Sequence, residues 1–127
     1  MSEQKSMEKW VIIASVFGLL GLAIGAFGAH GLKKLISPEL IETYKTGVLY
    51  QVIHAIVILV IGLSSKKIFN ASAIFFSIGI ILFSFSLYIY AVTQIKIFVY
   101  VTPFGGVSFL VGWLLLIVST IRIKKEK

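Results

Sequence analysis

The sequence predicts an all-α membrane protein, with four transmembrane helices in an up-down array joined by short loops. Three observations predict it. Apolar residues make up 58% of the chain. Charged residues make up 13%, against about 25% in an average soluble domain. The charges gather at the two tails and three connections, and four long uncharged runs lie between them. Each run can cross a bilayer, which takes about 20 mainly apolar residues. The 127 residues read as one domain, with helices over 10–30, 46–65, 69–92 and 103–121.

The first ten residues, MSEQKSMEKW, are polar and are expected to be frayed or interfacial, with Trp10 in an aromatic belt. The run from Trp10 to Ala29 follows. Lys5 and Lys9 before it resemble the basic start of a signal peptide. The apolar stretch exceeds the usual core of about 7–15 residues, so it reads as a retained span. Gly31 can stop this helix.

Ser37-Pro38-Glu39 reads as the next helix start: Ser as N-cap, Pro at the first helical position, Glu in the first turn. Residues 38–45 form an interfacial start, and the helix can continue unbroken to about Leu63. Lys66-Lys67 joins it to the third helix. Residues Thr93 to Val101 include Lys96 and many β-branched side chains, and read as an extended or interfacial link. Thr102-Pro103 repeats the cap-then-proline signal and starts the last helix.

Lys and Arg set orientation. Eight lie on the tails and second connection, and four on the first and third connections. Basic residues stay on the cytoplasmic side, so both termini are expected there, in a multi-pass protein of the bacterial plasma membrane. The net charge of +7 is read as topology and contact with anionic headgroups. No nucleic-acid surface is expected, because the basic residues sit on short ends. The chain has no cysteine, which excludes disulfides, thiolate metal sites and thiol catalysis.

Small residues line the first helix: Ala14, Gly18, Gly21, Gly25, Gly28 and Ala29. Steps of three and four place most on one face, and such stripes let helices approach closely in lipid. A flat wall beside a ligand is the alternative use. Gly105 and Gly112 make a similar stripe on the fourth helix, with Ser108 between them.

Polar residues inside the spans form the candidate site. Gln51 and His54 are neighbours on the second helix, preceded by Tyr50. An intramembrane histidine is either a functional group or a neutral imidazole that bonds a neighbouring helix. His30 ends the first helix, Ser84 and Tyr88 lie late in the third, and Thr102 opens the fourth. Alternating helix direction then places His30, Tyr50, Gln51, His54, Ser84, Tyr88 and Thr102 in one half of the membrane. With both termini inside, that half is extracytoplasmic, and a shared polar cluster or shallow pocket is expected there. Ligation of a haem by His30 and His54 is conceivable but has no other support, so no cofactor and no metal are expected.

Four motifs, GAFGAHGL at Gly25–Leu32, TGVLYQVIHA at Thr46–Ala55, LFSFSLY at Leu82–Tyr88 and TPFGGVSFLVGW at Thr102–Trp113, resemble a family of small bacterial membrane proteins. It is known as domain of unknown function 423 or uncharacterised protein family 0382, and includes YgdD-like and YwdK-like proteins. The resemblance covers nearly the whole chain. The family pattern reads LFSGSLY, and Phe85 stands here in place of its glycine. The resemblance implies a multi-pass plasma-membrane protein and no established activity.

Three functional readings follow. One is a small non-enzymatic accessory or self-associating protein, in a homo-oligomer or a larger membrane complex. Another is binding or transport of a lipid, quinone or proton through the polar cluster. The third is an enzyme, ranked last. Glu3, Glu8, Glu39, Glu42 and Glu126 all lie outside the apolar runs, and no catalytic constellation is visible.

Overall fold

The computed structural model describes residues 2–126, which are helical apart from short connections, with no strand among them. Four helices are long and apolar enough to cross a membrane. The first spans Glu3–His30. The second spans Pro38–Ser64, the third Lys67–Thr93 and the fourth Ile97–Glu126.

The first helix starts earlier than its apolar run. Ser2 caps it by accepting a bond from the Lys5 amide. Its polar turns are held rather than frayed. Asn70 Oδ1, at the start of the third helix, accepts from Ser6 Oγ at 3.0 Å and from Trp10 Nε1 at 3.1 Å. Trp10 is therefore 3% exposed and part of the core, not of a lipid-facing belt. A polar side chain 60 residues away made this difference, and no local pattern announces it.

The second helix starts where the cap signal places it. Ser37 accepts from the Leu40 amide, with Pro38 inside the first turn. It runs unbroken to Ser64 and ends on Ser65 in the left-handed conformation. A one-turn 3₁₀ helix, Leu32–Lys34, joins it to the first. Buried Leu32 packs that turn into a cluster with Ile41, Tyr44, Tyr88 and Ala91.

The third helix is not uniform. An α-helical stretch Asn70–Gly79 passes into a wider π-helical stretch Ile80–Phe85, then returns to α-helix over Ser86–Thr93. Gln94 ends it in the left-handed conformation.

The fourth helix corrects the reading of Thr102-Pro103. It begins at Ile97, so the expected link over 93–101 is largely helix, and Pro103 lies within the second turn. Thr102 is not a cap; its hydroxyl donates to the Phe98 carbonyl in the preceding turn. Apolar surroundings favour this, because a backbone placed in lipid must satisfy its own polar groups. Pro103 is the seventh residue, past the first turn, so it removes the amide bond toward the Val99 carbonyl. Membrane helices tolerate that loss where hydroxyl side chains and neighbouring helices satisfy the freed groups.

The first and second helices pair along their length, and the second packs on the third, which packs on the fourth. Trp10, Ala14, Ile58, Ile61, Ala73, Phe76, Ile80 and Phe109 form the main buried cluster. Lipid is as apolar as these side chains, so close packing and interhelical hydrogen bonds hold the bundle, not removal from water.

Glycines set the approach distances. A Cβ on Gly28 would strike the Tyr44 ring, and one on Gly105 would strike the backbone at Leu82 and Phe83. One on Gly112 would meet Phe76 at 2.6 Å, and those on Gly21 and Gly25 would meet Val52 and Val48 at 3.0 and 3.1 Å. Gly18 departs from the expected stripe: among the described residues, no other part of the bundle lies within 4 Å of where its side chain would be. Gly47 and Gly79 do the same work unannounced, against Tyr88 and Phe109.

Candidate functional site

The expected polar residues do not share one pocket. The structure divides them into separate hydrogen-bonded groups.

The first group joins three helices. Gln51 is fully buried. Its Nε2 donates to the Phe17 carbonyl of the first helix at 2.8 Å. Its Oε1 accepts from the Tyr88 hydroxyl of the third at 2.7 Å. Gly21 makes room for this, since a Cβ there would lie 3.4 Å from Gln51 Nε2. The Tyr88 ring rests on Tyr44, with centroids 5.2 Å apart, and the Tyr44 hydroxyl donates to the Ile24 carbonyl. The amide is thus a clasp: one end holds the first helix and the other the third.

The second group is built on His54, which is 4% exposed. The indole Nε1 of Trp113 donates to His54 Nε2 at 3.1 Å. An indole N–H can only donate, so Nε2 is the unprotonated nitrogen. The hydrogen therefore sits on Nδ1, 2.7 Å from the Tyr50 carbonyl that accepts it. Both ring nitrogens are engaged and the imidazole is neutral in this arrangement. Phe109 stacks on it at 3.8 Å, Phe76 lies tilted at 5.3 Å, and Tyr50 lies parallel at 6.2 Å.

His54 falls just past the middle of the second helix, and Trp113 just past the middle of the fourth. The pair sits near the middle of these two helices, whereas His30 stands at the end of the first. His30 ends the first helix, is exposed, and is not among the ring neighbours of His54. The structure does not bring these two histidines together.

Thr102 belongs to a third group. Its own hydrogen goes to the Phe98 carbonyl, so it accepts at 2.6 Å from Ser86 Oγ, whose single hydrogen is then turned to the fourth helix and away from the Phe83 carbonyl 2.8 Å off. Ser86, not Ser84, is thus the serine that bridges to the fourth helix. Ser84 and Ser72 are fully buried, and among the described residues neither hydroxyl meets a partner in good hydrogen-bond geometry.

The sequence reading missed Trp113, Asn70 and Ser86. Trp113 carried a signal: tryptophan favours the membrane–water interface, so one deep in a span wants a buried acceptor. The Phe17 carbonyl carried none, because a backbone acceptor has no sequence signature.

Chemically, these groups join helices. Each uses its donors on carbonyls or side chains of neighbouring turns and helices. Among the described residues no three His, Cys, Asp or Glu gather as metal ligands.

Four long apolar helices clasped by intramembrane hydrogen bonds define a multi-pass membrane protein. Residues 24–106 match the family described as protein of unknown function, DUF423, and the chain belongs to that family. It is 38% identical over 120 residues to the UPF0382 inner membrane protein YgdD of Escherichia coli (strain K12), covering 91% of this chain and 92% of that one. It is 36% identical over 121 residues to the UPF0382 membrane protein YwdK of Bacillus subtilis (strain 168), covering 91% and 98%. A UPF0382 membrane protein of Staphylococcus saprophyticus is 38% identical over 122 residues. No solved structure matches. The relatives' names and the four apolar helices agree on the cell membrane.

Proposed function

We propose that the protein is a small non-enzymatic membrane protein that associates with a second copy of itself through its first helix, with both termini in the cytoplasm. One observation carries this reading. Ile12, Ser15, Leu19, Leu22, Ala26 and Ala29 recur at alternating steps of three and four along the first helix, and all six are exposed. Leu19 and Leu22 are 71% and 70% exposed. A 3–4 spacing is the seam of a left-handed helix pair, and small residues within it allow close approach in lipid. The first helix packs chiefly on the second, so this seam faces outward.

The engagement of Gln51 and His54 in internal bonds supports a structural rather than a chemical role. The excess of Lys and Arg on the tails and second connection supports the orientation.

The chain has no cysteine, so single cysteines report directly. Ser15→Cys and Ala26→Cys should give disulfide-linked dimers on oxidation in native membranes. Val60→Cys, which is exposed on the second helix, should not. Equal cross-linking at all three positions, or none at the seam, overturns the reading.

A further inference from the structure

We infer that the groove between the first and second helices, at the end marked by Lys45, binds one anionic phospholipid. The groove has a volume of about 240 Å³. Gly25, Gly28 and Ala29 form its floor, Val48 and Leu49 one wall, and Lys45 its rim. Pockets for drug-sized ligands run to about 300–1,000 Å³, so this one suits a slender chain.

The position of Lys45 identifies the occupant. It is the last charge before the uncharged stretch of the second helix begins at Thr46. An ammonium there lies at the boundary between headgroups and hydrocarbon. Val48 and Gly25 lie deeper, so the groove runs from headgroup level into the acyl region. A phosphate at Lys45 with one acyl chain along Gly25 and Val48 matches this gradient from charge to grease. The glycines keep the floor low, and Tyr44, seated over Gly28, closes its inner side.

Charge distribution supports the same occupant. Three of the four Lys on the two less basic connections, Lys33, Lys34 and Lys45, cluster in the first one. Lys33 and Lys34 are exposed on the 3₁₀ turn that Leu32 anchors beside Ile41. The facing acids are Glu39 and Glu42. Glu42 lies 3.4 Å from Lys45, with the two side chains 73% and 62% exposed. An ion pair so exposed holds weakly, so a lipid phosphate can replace the carboxylate.

The groove shares Ala29 with the proposed seam, so the test is made on the full chain with a readout, bound lipid per chain, that is separate from cross-linking. Protein in neutral detergent is titrated with phosphatidylglycerol or phosphatidylcholine and read by native mass spectrometry. The parent should retain one phosphatidylglycerol per chain in preference to phosphatidylcholine. A lysine at the membrane surface contributes about 1 kcal/mol, or about fivefold. Lys45→Gln should lower the preference by about that factor, Lys45→Arg should keep it, and Glu42→Gln should raise it. Lys67→Gln, at the other end of the bundle, should leave it unchanged. No preference in the parent, or the parent's preference in Lys45→Gln, overturns the inference.

Discussion

Trp113 and His54 face each other across the second and fourth helices, with the indole nitrogen 3.1 Å from His54 Nε2. This one bond decides the state of the histidine. It fixes the Nδ1–H tautomer, directs that hydrogen to Tyr50 and leaves no nitrogen free to carry a proton. A ring so held acts as a joint between helices. The same logic applies to Gln51, and together the two side chains tie all four helices at their centre.

The first prediction follows from that bond. Trp113→Phe keeps an aromatic ring beside Phe76 but removes the donor. It should lower stability by about 0.6–2 kcal/mol, the usual range for an intramembrane hydrogen bond. His54→Leu should cost a similar amount, and the double variant less than the sum. His54→Gln restores a donor and an acceptor but not the stack on Phe109, so it should fall between parent and Leu. Thermal melting in one detergent checks all four. Strict additivity would mean that the bond does not form.

The second concerns the Gln51 clasp. Gln51→Leu strands the Tyr88 hydroxyl in the core and releases the Phe17 carbonyl from its side-chain partner. Leaving a buried group unpaired costs about 1–3 kcal/mol. Tyr88→Phe removes only one of the two bonds and should cost less. A Tyr88→Phe variant that melts below Gln51→Leu would show that the tyrosine, not the amide, organises this level.

The third is topological. Four spans return the chain to the side on which it began. A reporter active only in the cytoplasm, fused at the C-terminus, should be active, and one inserted between Lys34 and Ile36 should be silent. Activity at the loop instead would invert the orientation.

Helix count and one boundary were legible because they rest on local chemistry. Runs without charge mark the spans, and Ser37-Pro38-Glu39 fixes the start of the second helix. Thr102-Pro103 misled, because the same dipeptide also fits the second turn of a helix that began at Ile97. The candidate site was legible as a set of residues but not as an arrangement. Helix direction brings residues to similar depths, yet only rotation about each axis decides who meets whom. Gln51 meets Tyr88, while His54 turns to Trp113 and His30 turns outward. Those rotations are set by contacts such as Gly105 on the Phe83 backbone, which no single helix encodes.

The last prediction tests that contact with two adjacent residues. A Cβ on Gly105 would collide with backbone atoms of Leu82 and Phe83 on the third helix, whereas one on Gly106 would meet only the Phe83 ring edge at 3.9 Å. Backbone cannot swing aside as a side chain can. Gly105→Ala must therefore part the third and fourth helices beside the π-helical stretch, and overpacking of this kind costs about 1–3 kcal/mol. Gly106→Ala meets ordinary van der Waals contact. It also gains helix stability, since glycine within a helix is worse than alanine by about 0.5–1 kcal/mol. The two substitutions add the same methyl group, one residue apart, with opposite expected signs. Melting temperatures of the pair in one detergent read the difference directly. If Gly105→Ala melts with or above Gly106→Ala, the close crossing at Phe83 is not what orients the fourth helix.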